Sequence, residues 1–374
     1  MERSRSDIML AVVTLILVSI GTVMIYSSSS IIAVDHYNDS LHFIKKQIIM
    51  VVLGLLAMMV TTFVPYRWWR HFAYGGVVLS AILLALLLIP GFGVTAGKAT
   101  RWLSLGFMRF QVSELVKIGL VLFFAHYIAK KEDRIGRLAF FPVPLFILAA
   151  CDFMILKQPD FGAAMIIAAV FMAMLFLAGC RVSHLLAITA LTVPVGVFLI
   201  MSGGYRLARL QVFLDPWKDP LKSGFQIIQS FISFGSGGPF GVGIGSGMQK
   251  LYYLPEPHTD FILSVIAEEG GFLFVGAIIG LFLVLIVRGF MIAFRAQDLF
   301  GSLLAAGLVT VIGLEAFINM AGVMGLIPLK GLVLPFVSYG GSSLVTSMAA
   351  VGILLNISGY RAESSISRRQ GARQ

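Results

Sequence analysis

Residues 261–287 read FILSVIAEEGGFLFVGAIIGLFLVLIV, a stretch whose only ionisable side chains are the adjacent Glu268 and Glu269. A run of this length crosses a bilayer as a helix, which takes about 20 apolar residues. Similar runs recur along the whole chain. Hydrophobic residues make up 58% of it, charged residues 12%, and the mean hydropathy is +0.94. A soluble domain carries roughly 25% charged residues. In hydrocarbon each backbone N–H and C=O must be satisfied without water, which leaves helices and closed barrels. A barrel reads as alternating segments of about 10 residues, and no such alternation occurs here. The expected fold is an all-α polytopic membrane protein.

Ten spans are expected near residues 8–28, 47–65, 72–90, 112–129, 140–156, 161–179, 183–202, 260–287, 299–322 and 334–357. The first, Ile8–Tyr26, follows Arg3 and Arg5, exceeds the 7–15-residue core of a signal peptide and has no A-x-A site after it; it is expected to be retained. An even number of spans puts both termini on one side. Arg67, Arg70, Lys130, Lys131, Arg134, Arg137, Arg181, Arg288, Arg295 and the basic tail 359–374 then share a side. The opposite short loops hold Lys45, Lys46, Lys98, Arg101, Arg109, Lys157 and Lys330. The bias places the termini in the cytoplasm. Trp68 and Trp69 fit an aromatic anchor on that face. The net charge of +10 is thus explained by membrane topology rather than by nucleic acid. Cys151 and Cys180 are isolated, with neither metal-ligand spacing nor a disulfide framework.

Two outer segments stand out. One is Gly91–Gln111. The other, residues 203–259 between spans seven and eight, far exceeds the usual loop of about 4–6 residues and is expected to be functional. Within it Phe225, Ile228, Phe231 and Ile232 fall on one face of a helix that would lie along the outer interface. Gly241-x-Gly243-x-Gly245 follows no strand and lacks the Gly-Lys-Ser/Thr of a nucleotide loop, so no nucleotide is expected. Its glycines suit either turns or backbone amides approaching a phosphate.

Asp260 follows Pro257 at the start of a span. It can cap that helix, or stand at the outer lip as a general base or a ligand for a divalent cation. Glu268 and Glu269 lie about two turns deeper. Ionisable groups there face partners or cavities, so one is expected toward a cavity and the other toward a neighbouring helix. Glu114 and Lys117, three residues apart in the fourth span, can pair. Asp160, and Glu315 with Asn319, are further polar groups at or within spans. Carboxylates, lysines, arginines and backbone amides form a palette for an anionic, phosphate-bearing ligand.

Read in order, VMIYSSSS, RWLSLGFMRFQVSELVK, QPDFG, GVGIGSGMQKLYYLPEPHTDFILSVIAEEGG and GLIPLKGLVLPFVSYGGSS carry a resemblance to the SEDS family (shape, elongation, division and sporulation) over nearly the whole chain. The family's FtsW and RodA branches polymerise lipid II into peptidoglycan strands. One departure is Val112, where the family has a proline that presets the helix start. PLKGLVLPF is more like the FtsW branch.

The resemblance implies one SEDS membrane domain over 1–374 and an inverting peptidoglycan glycosyltransferase at the outer face of the bacterial cytoplasmic membrane, working in septal synthesis. RodA-type elongation and lipid II flipping are the alternatives; no internal repeat supports a transporter. It implies Asp260 as the catalytic carboxylate, with a divalent cation such as Mg2+ or Mn2+ as a candidate cofactor on it. Arg101, Lys117 and Lys330 are the candidates for pyrophosphate contact, with Glu114 holding Lys117. Gly243, Gly245, His258 and Ser338 are further substrate-side candidates, supported by Glu268 and Asp160. Partners implied are lipid II, undecaprenyl pyrophosphate, a class B penicillin-binding protein transpeptidase and other division or elongation proteins. Gly276-x-x-x-Gly280 can admit a partner helix or serve internal packing.

Overall fold

Each long apolar run becomes a helix because its backbone bonds close within the run. The computed structural model describes residues 6–96, 99–104, 106, 109–251, 254–255 and 257–360. Arg3, Arg5, Lys98, Glu256 and the tail beyond Tyr360 lie outside them. Twelve α-helices occur among the described residues: α1 (Ile8–Tyr37), α2 (His42–Phe63), α3 (Ala73–Leu88), α4 (Val112–Lys130), α5 (Pro142–Lys157), α6 (Phe161–Leu177), α7 (Val182–Ser202), α8 (Gly204–Leu214), α9 (Phe225–Gly237), α10 (Ile262–Phe294), α11 (Leu299–Val323) and α12 (Gly341–Gly359). Eight helical segments are long and apolar enough to cross a membrane: α1, α2, α4, α7, α10, α11, α12, and α3 together with the 3-10 turns Tyr66–Phe72 that precede it; α5 and α6, at 16 and 17 residues, fall short of that length. Asp7, Asp160 and Asp298 cap α1, α6 and α11, each accepting a backbone N–H of the first turn.

Of the eight candidate spans, α4, α11 and α12 are the most buried and α7 is the most exposed. The backbone N–H of Asp7 donates to Ser358 Oγ at 2.9 Å, so the beginning of α1 meets the end of α12 on one face of the bundle. Arg288 of α10 joins them through the Asp7 carboxylate.

Three sequence expectations change. The described residues of the segment 93–111 form a three-stranded antiparallel sheet: β1 (Gly93–Ala96), β2 (Ala99–Ser104) and β3 (Arg109–Gln111). It leads directly into α4, which starts at Val112 without a proline and without a side-chain cap. Residues 334–340, apolar enough to read as a span, form a loop, and α12 begins only at Gly341. Helix α9 packs against α10 through Ile227, Ile228 and Ser230, while Ile232 is exposed. Ser230 explains this orientation: its hydroxyl meets Ser264 Oγ of α10 at 2.8 Å and donates to the Val323 carbonyl at 2.7 Å.

Helix α10 is broken at Gly271, whose φ of 74° is left-handed. A break orphans carbonyls on one side and N–H groups on the other. The glycine-rich segment after α9 satisfies both. Val242 and Gly243 N–H donate to the carbonyls of Glu268 and Glu269 at 2.9 and 3.0 Å, and the Gly238 and Pro239 carbonyls accept from Phe272 and Leu273 N–H at 2.8 and 3.1 Å. A Cβ at Gly241 would lie 2.2 Å from the Glu269 carbonyl oxygen, so only glycine allows this approach.

Candidate active site

A cavity of about 1160 Å³ opens among the ends of α1, α2, α4, α6 and α8, the sheet, and the loops before α10 and α12. Among the described residues Lys46, Arg101, Arg109, Arg206, Arg209 and Lys330 line it, against three acids: Asp260, Glu114 and Glu315. Cations therefore outnumber carboxylates, and the wall favours an anion.

Asp260 stands in a turn just before α10. Asn319 of α11 fixes its backbone: Nδ2 donates to the Asp260 carbonyl at 2.9 Å and to the Leu332 carbonyl at 2.6 Å. Ser338 holds the preceding residue, donating its hydroxyl to the Thr259 carbonyl at 2.7 Å and accepting from Leu334 N–H at 2.9 Å. The Asp260 carboxylate and the Arg209 guanidinium converge on Gly331. A Cβ there would lie 3.3 Å from Asp260 Oδ2 and 3.8 Å from Arg209 Nη2. Arg209 also donates to the Leu329 carbonyl at 2.9 Å.

Phe161, the first residue of α6, organises two further cations. Its ring centroid lies 4.5 Å from Lys330 Nζ and 5.4 Å from Arg206 Cζ, within cation–π range. Burial holds the Lys330 ammonium below the ordinary lysine value of 10.5, and the neighbouring Arg209 and Arg206 charges add to this. A bound anion offsets both effects. Arg101, on β2, donates to the carbonyls of Gln158 and Pro159, and its Nε lies 3.9 Å from Asp160 Oδ2. Asp160 thus caps α6 and steadies Arg101 together.

Lys117 sits behind the wall rather than on it. It is 2% exposed, and its ammonium is shared between Glu114, at 2.9 Å, and Glu315 of α11. The expected Glu114 partner is there; contact of Lys117 itself with a ligand is not part of this arrangement. His258 is likewise behind the wall, buried between Phe43 and Tyr339. Ser338 acts on the backbone before Asp260.

Gly243 and Gly245 do not line the cavity. Their amides meet the carbonyl and the Oε2 of Glu269, each at 3.0 Å. Neither Glu268 nor Glu269 faces the cavity, contrary to the expectation that one would. Glu268 accepts from Met248 and Gln249 N–H at 2.8 and 3.1 Å. Glu269 accepts from Lys250 Nζ at 2.7 Å and from the Ser27 hydroxyl at 2.6 Å. The break at Gly271 brings the 242–250 segment against these carboxylates, and that contact supersedes the simple 3.6-residue face.

Arg206, Arg209, Phe161 and Gly331 are the site residues that sequence reasoning left unassigned. The signal for the arginines was their three-residue spacing in YRLARLQVFL, which puts both on one face of α8.

A family model described as a cell cycle protein family, FtsW/RodA/SpoVE, matches residues 7–363. The chain belongs to this family. It is 48% identical over 354 residues to a protein of Trichlorobacter lovleyi named probable peptidoglycan glycosyltransferase FtsW, covering 94% of this chain and 93% of that one. Stage V sporulation protein E of Bacillus subtilis is 40% identical over 361 residues, covering 96% and 98% of the two chains. Among solved structures, a chain from a peptidoglycan synthase complex that coordinates polymerization and crosslinking superposes with a TM-score of 0.78 at 31% identity, covering 96% of this chain and 99% of that one. The rod shape determining protein RodA of Thermus thermophilus gives 0.71 at 27% identity, covering 96% and 98%.

Proposed function

We propose that this chain is a peptidoglycan glycosyltransferase of the FtsW type, polymerising lipid II at the outer face of the bacterial cytoplasmic membrane, in septal synthesis. The observation that carries the reading is Asp260 on the wall of a cation-lined cavity, in a chain whose relatives bear the glycosyltransferase name. All ten apolar helices serve as spans, both termini are cytoplasmic, and α8, α9 and the sheet lie outside.

The reaction joins two lipid-linked sugars with inversion. The hydroxyl oxygen of the acceptor attacks the anomeric carbon of the donor. The new C–O bond forms as the bond to undecaprenyl pyrophosphate breaks and takes its electron pair with it. Asp260 removes the hydroxyl proton, a role typically contributing about 10²–10⁴-fold. Arg209, Arg206, Lys330 and Arg101 balance the charge that develops on the pyrophosphate. Their cation–π and carbonyl contacts pre-set them for this, so little reorganisation is needed. Lys117 neutralises part of the charge of Glu114 and Glu315, which would otherwise repel the phosphates.

Among the described residues no group of three His, Cys, Asp or Glu side chains gathers as a metal cage. Asp260 can contribute one carboxylate to a Mg2+ or Mn2+ ion whose other ligands are substrate phosphates and water, a set that suits such ions. When bound, that ion would add charge stabilisation at the pyrophosphate.

The partner is a class B penicillin-binding protein. Gly276 and Gly280 are suited to receive its helix, because a Cβ at either would meet nothing within 4 Å of this chain. Replacing Gly276 with leucine should weaken co-purification of the partner. Glycan synthesis from purified lipid II by the chain with its partner tests the main reading. Polymer should form with the parent protein and be lost with Asp260→Asn; near-normal polymer from a folded Asp260→Asn protein would sink it.

A further inference from the structure

The cavity wall differs in kind from place to place. Around Phe161 it is cationic. Toward α1 and α2 it is built of rings, with Lys46 and Arg109 at their margin. Tyr37 and His42 stack with centroids 3.8 Å apart and planes 5° apart. Phe43 packs edge-on to Tyr339 at 5.4 Å and against His258 at 4.7 Å. Tyr37, His42, Phe43 and Tyr339 all line the cavity. His258 backs them and is uncharged at neutral pH, since burial lowers its pKa to about 4.

The ring cluster is tied to Asp260. The His258 carbonyl accepts from Tyr339 N–H at 2.8 Å, and Asp260 follows two residues later, within about 7 Å along the chain. The carboxylate therefore stands close to the rings through the His258 backbone, and close to Arg209 at Gly331. In an inverting displacement the nucleophile and the leaving group occupy opposite sides of the reacting carbon. A base close to the rings, with Arg206, Arg209 and Lys330 gathered around Phe161 and Gly331 to take the pyrophosphate, places the acceptor sugar on the rings.

The geometry points to Tyr37, His42, Phe43 and Tyr339 as the stacking subsite for the acceptor sugar. Pyranose rings present a face of C–H groups that packs on aromatic faces, while tyrosine hydroxyls and imidazole edges meet the sugar hydroxyls. An isoprenoid tail would instead favour an aliphatic surface, which α7 supplies with Leu186, Leu191, Val195 and Met201 exposed. Tyr37 is 53% exposed, so its ring is available to a ligand and its replacement leaves the core intact. The inference rests on the reading of Asp260 as base to a sugar hydroxyl.

The probe is the soluble disaccharide of N-acetylglucosamine and N-acetylmuramic acid, which lacks both pyrophosphate and lipid. It is added as a competitor to lipid II polymerisation by the chain with its penicillin-binding partner. The disaccharide should inhibit the parent. Tyr37→Leu should raise its inhibition constant about five- to tenfold, the size of a lost aromatic contact, and shorten the glycan strands. Tyr37→Trp should restore both, and His42→Leu should act like Tyr37→Leu. Lys330→Ala should raise KM for lipid II with no effect on the disaccharide constant. An unchanged constant in both leucine variants, or no inhibition of the parent, would overturn the subsite while leaving polymerisation intact. A parent that makes no polymer would overturn the glycosyltransferase reading and the subsite with it.

Discussion

Asp260 and the Glu268–Glu269 pair lie about two helical turns apart in sequence, are drawn from the same small stock of acidic residues, and have opposite surroundings. Asp260 looks into a cavity that, among the described residues, has six cationic side chains on its walls. Glu268 and Glu269 look into protein. Glu268 takes two backbone N–H groups, and Glu269 takes an ammonium, a hydroxyl and a backbone N–H. Glycine serves each place differently. Gly331 clears space beside the Asp260 carboxylate, whereas Gly241 lets backbone plug a broken helix. Glu268 and Glu269 are enclosed by the loop and helices they hold together; Asp260 lies on a cavity wall rich in cations, where a substrate can reach it.

The largest effect expected on the sealed side comes from Lys250→Met. It leaves Glu269 buried without its cation, which costs about 3–5 kcal/mol. Thermal melting in detergent should show a clear fall, and an unchanged midpoint would mean the pair is not what ties the loop to α1 and α10. Gly241→Ala should cost about 1–3 kcal/mol, because the residue would be strained at positive φ and its methyl group would meet the Glu269 carbonyl. Loss of polymer should track loss of folded protein in both variants. On the open side the effects should fall on substrate instead. Lys330→Ala should raise KM for lipid II about tenfold, the worth of one charge-assisted contact, with melting preserved.

The pH dependence of that contact has a definite sign. The Lys330 pKa is lowered, so its ammonium is lost at a lower pH than the ordinary 10.5. Affinity for lipid II should weaken as pH rises through that lowered value, and Lys330→Arg should remove this alkaline limb. A profile identical in Lys330→Arg and the parent would take Lys330 out of the anion site.

Much of this was legible in the sequence. Apolar runs located the helices because in hydrocarbon the backbone has few options. Asp260, Arg101, Glu114 and Lys330 were named from charge at the ends of spans and from family motifs, and all four line the cavity. The break in α10 was hidden, since Glu268–Gly271 sits inside an otherwise continuous apolar run and nothing local announces that Gly238–Gly243 will fill the gap. The sheet was hidden because its strands are three to six residues long. Residues 334–340 read as membrane by hydropathy alone, but Ser338 and Tyr339 tie them to the Asp260 turn. The convergence of Arg209, Asp260 and Gly331 comes from three segments that only the fold brings together. Broken helices mark substrate sites in many transporters; here the break is filled by the chain itself, and the cavity lies elsewhere.

The contrast between the two acidic sites is tested most directly by one paired measurement: glycan yield from purified lipid II and melting temperature, for Asp260→Asn and Glu269→Gln, each with the penicillin-binding partner. Asp260→Asn should melt like the parent and lose polymer by about 10²-fold or more. Glu269→Gln should melt lower, and the protein that remains folded should still polymerise. A folded Asp260→Asn protein that polymerises at near-parent rates would contradict the account.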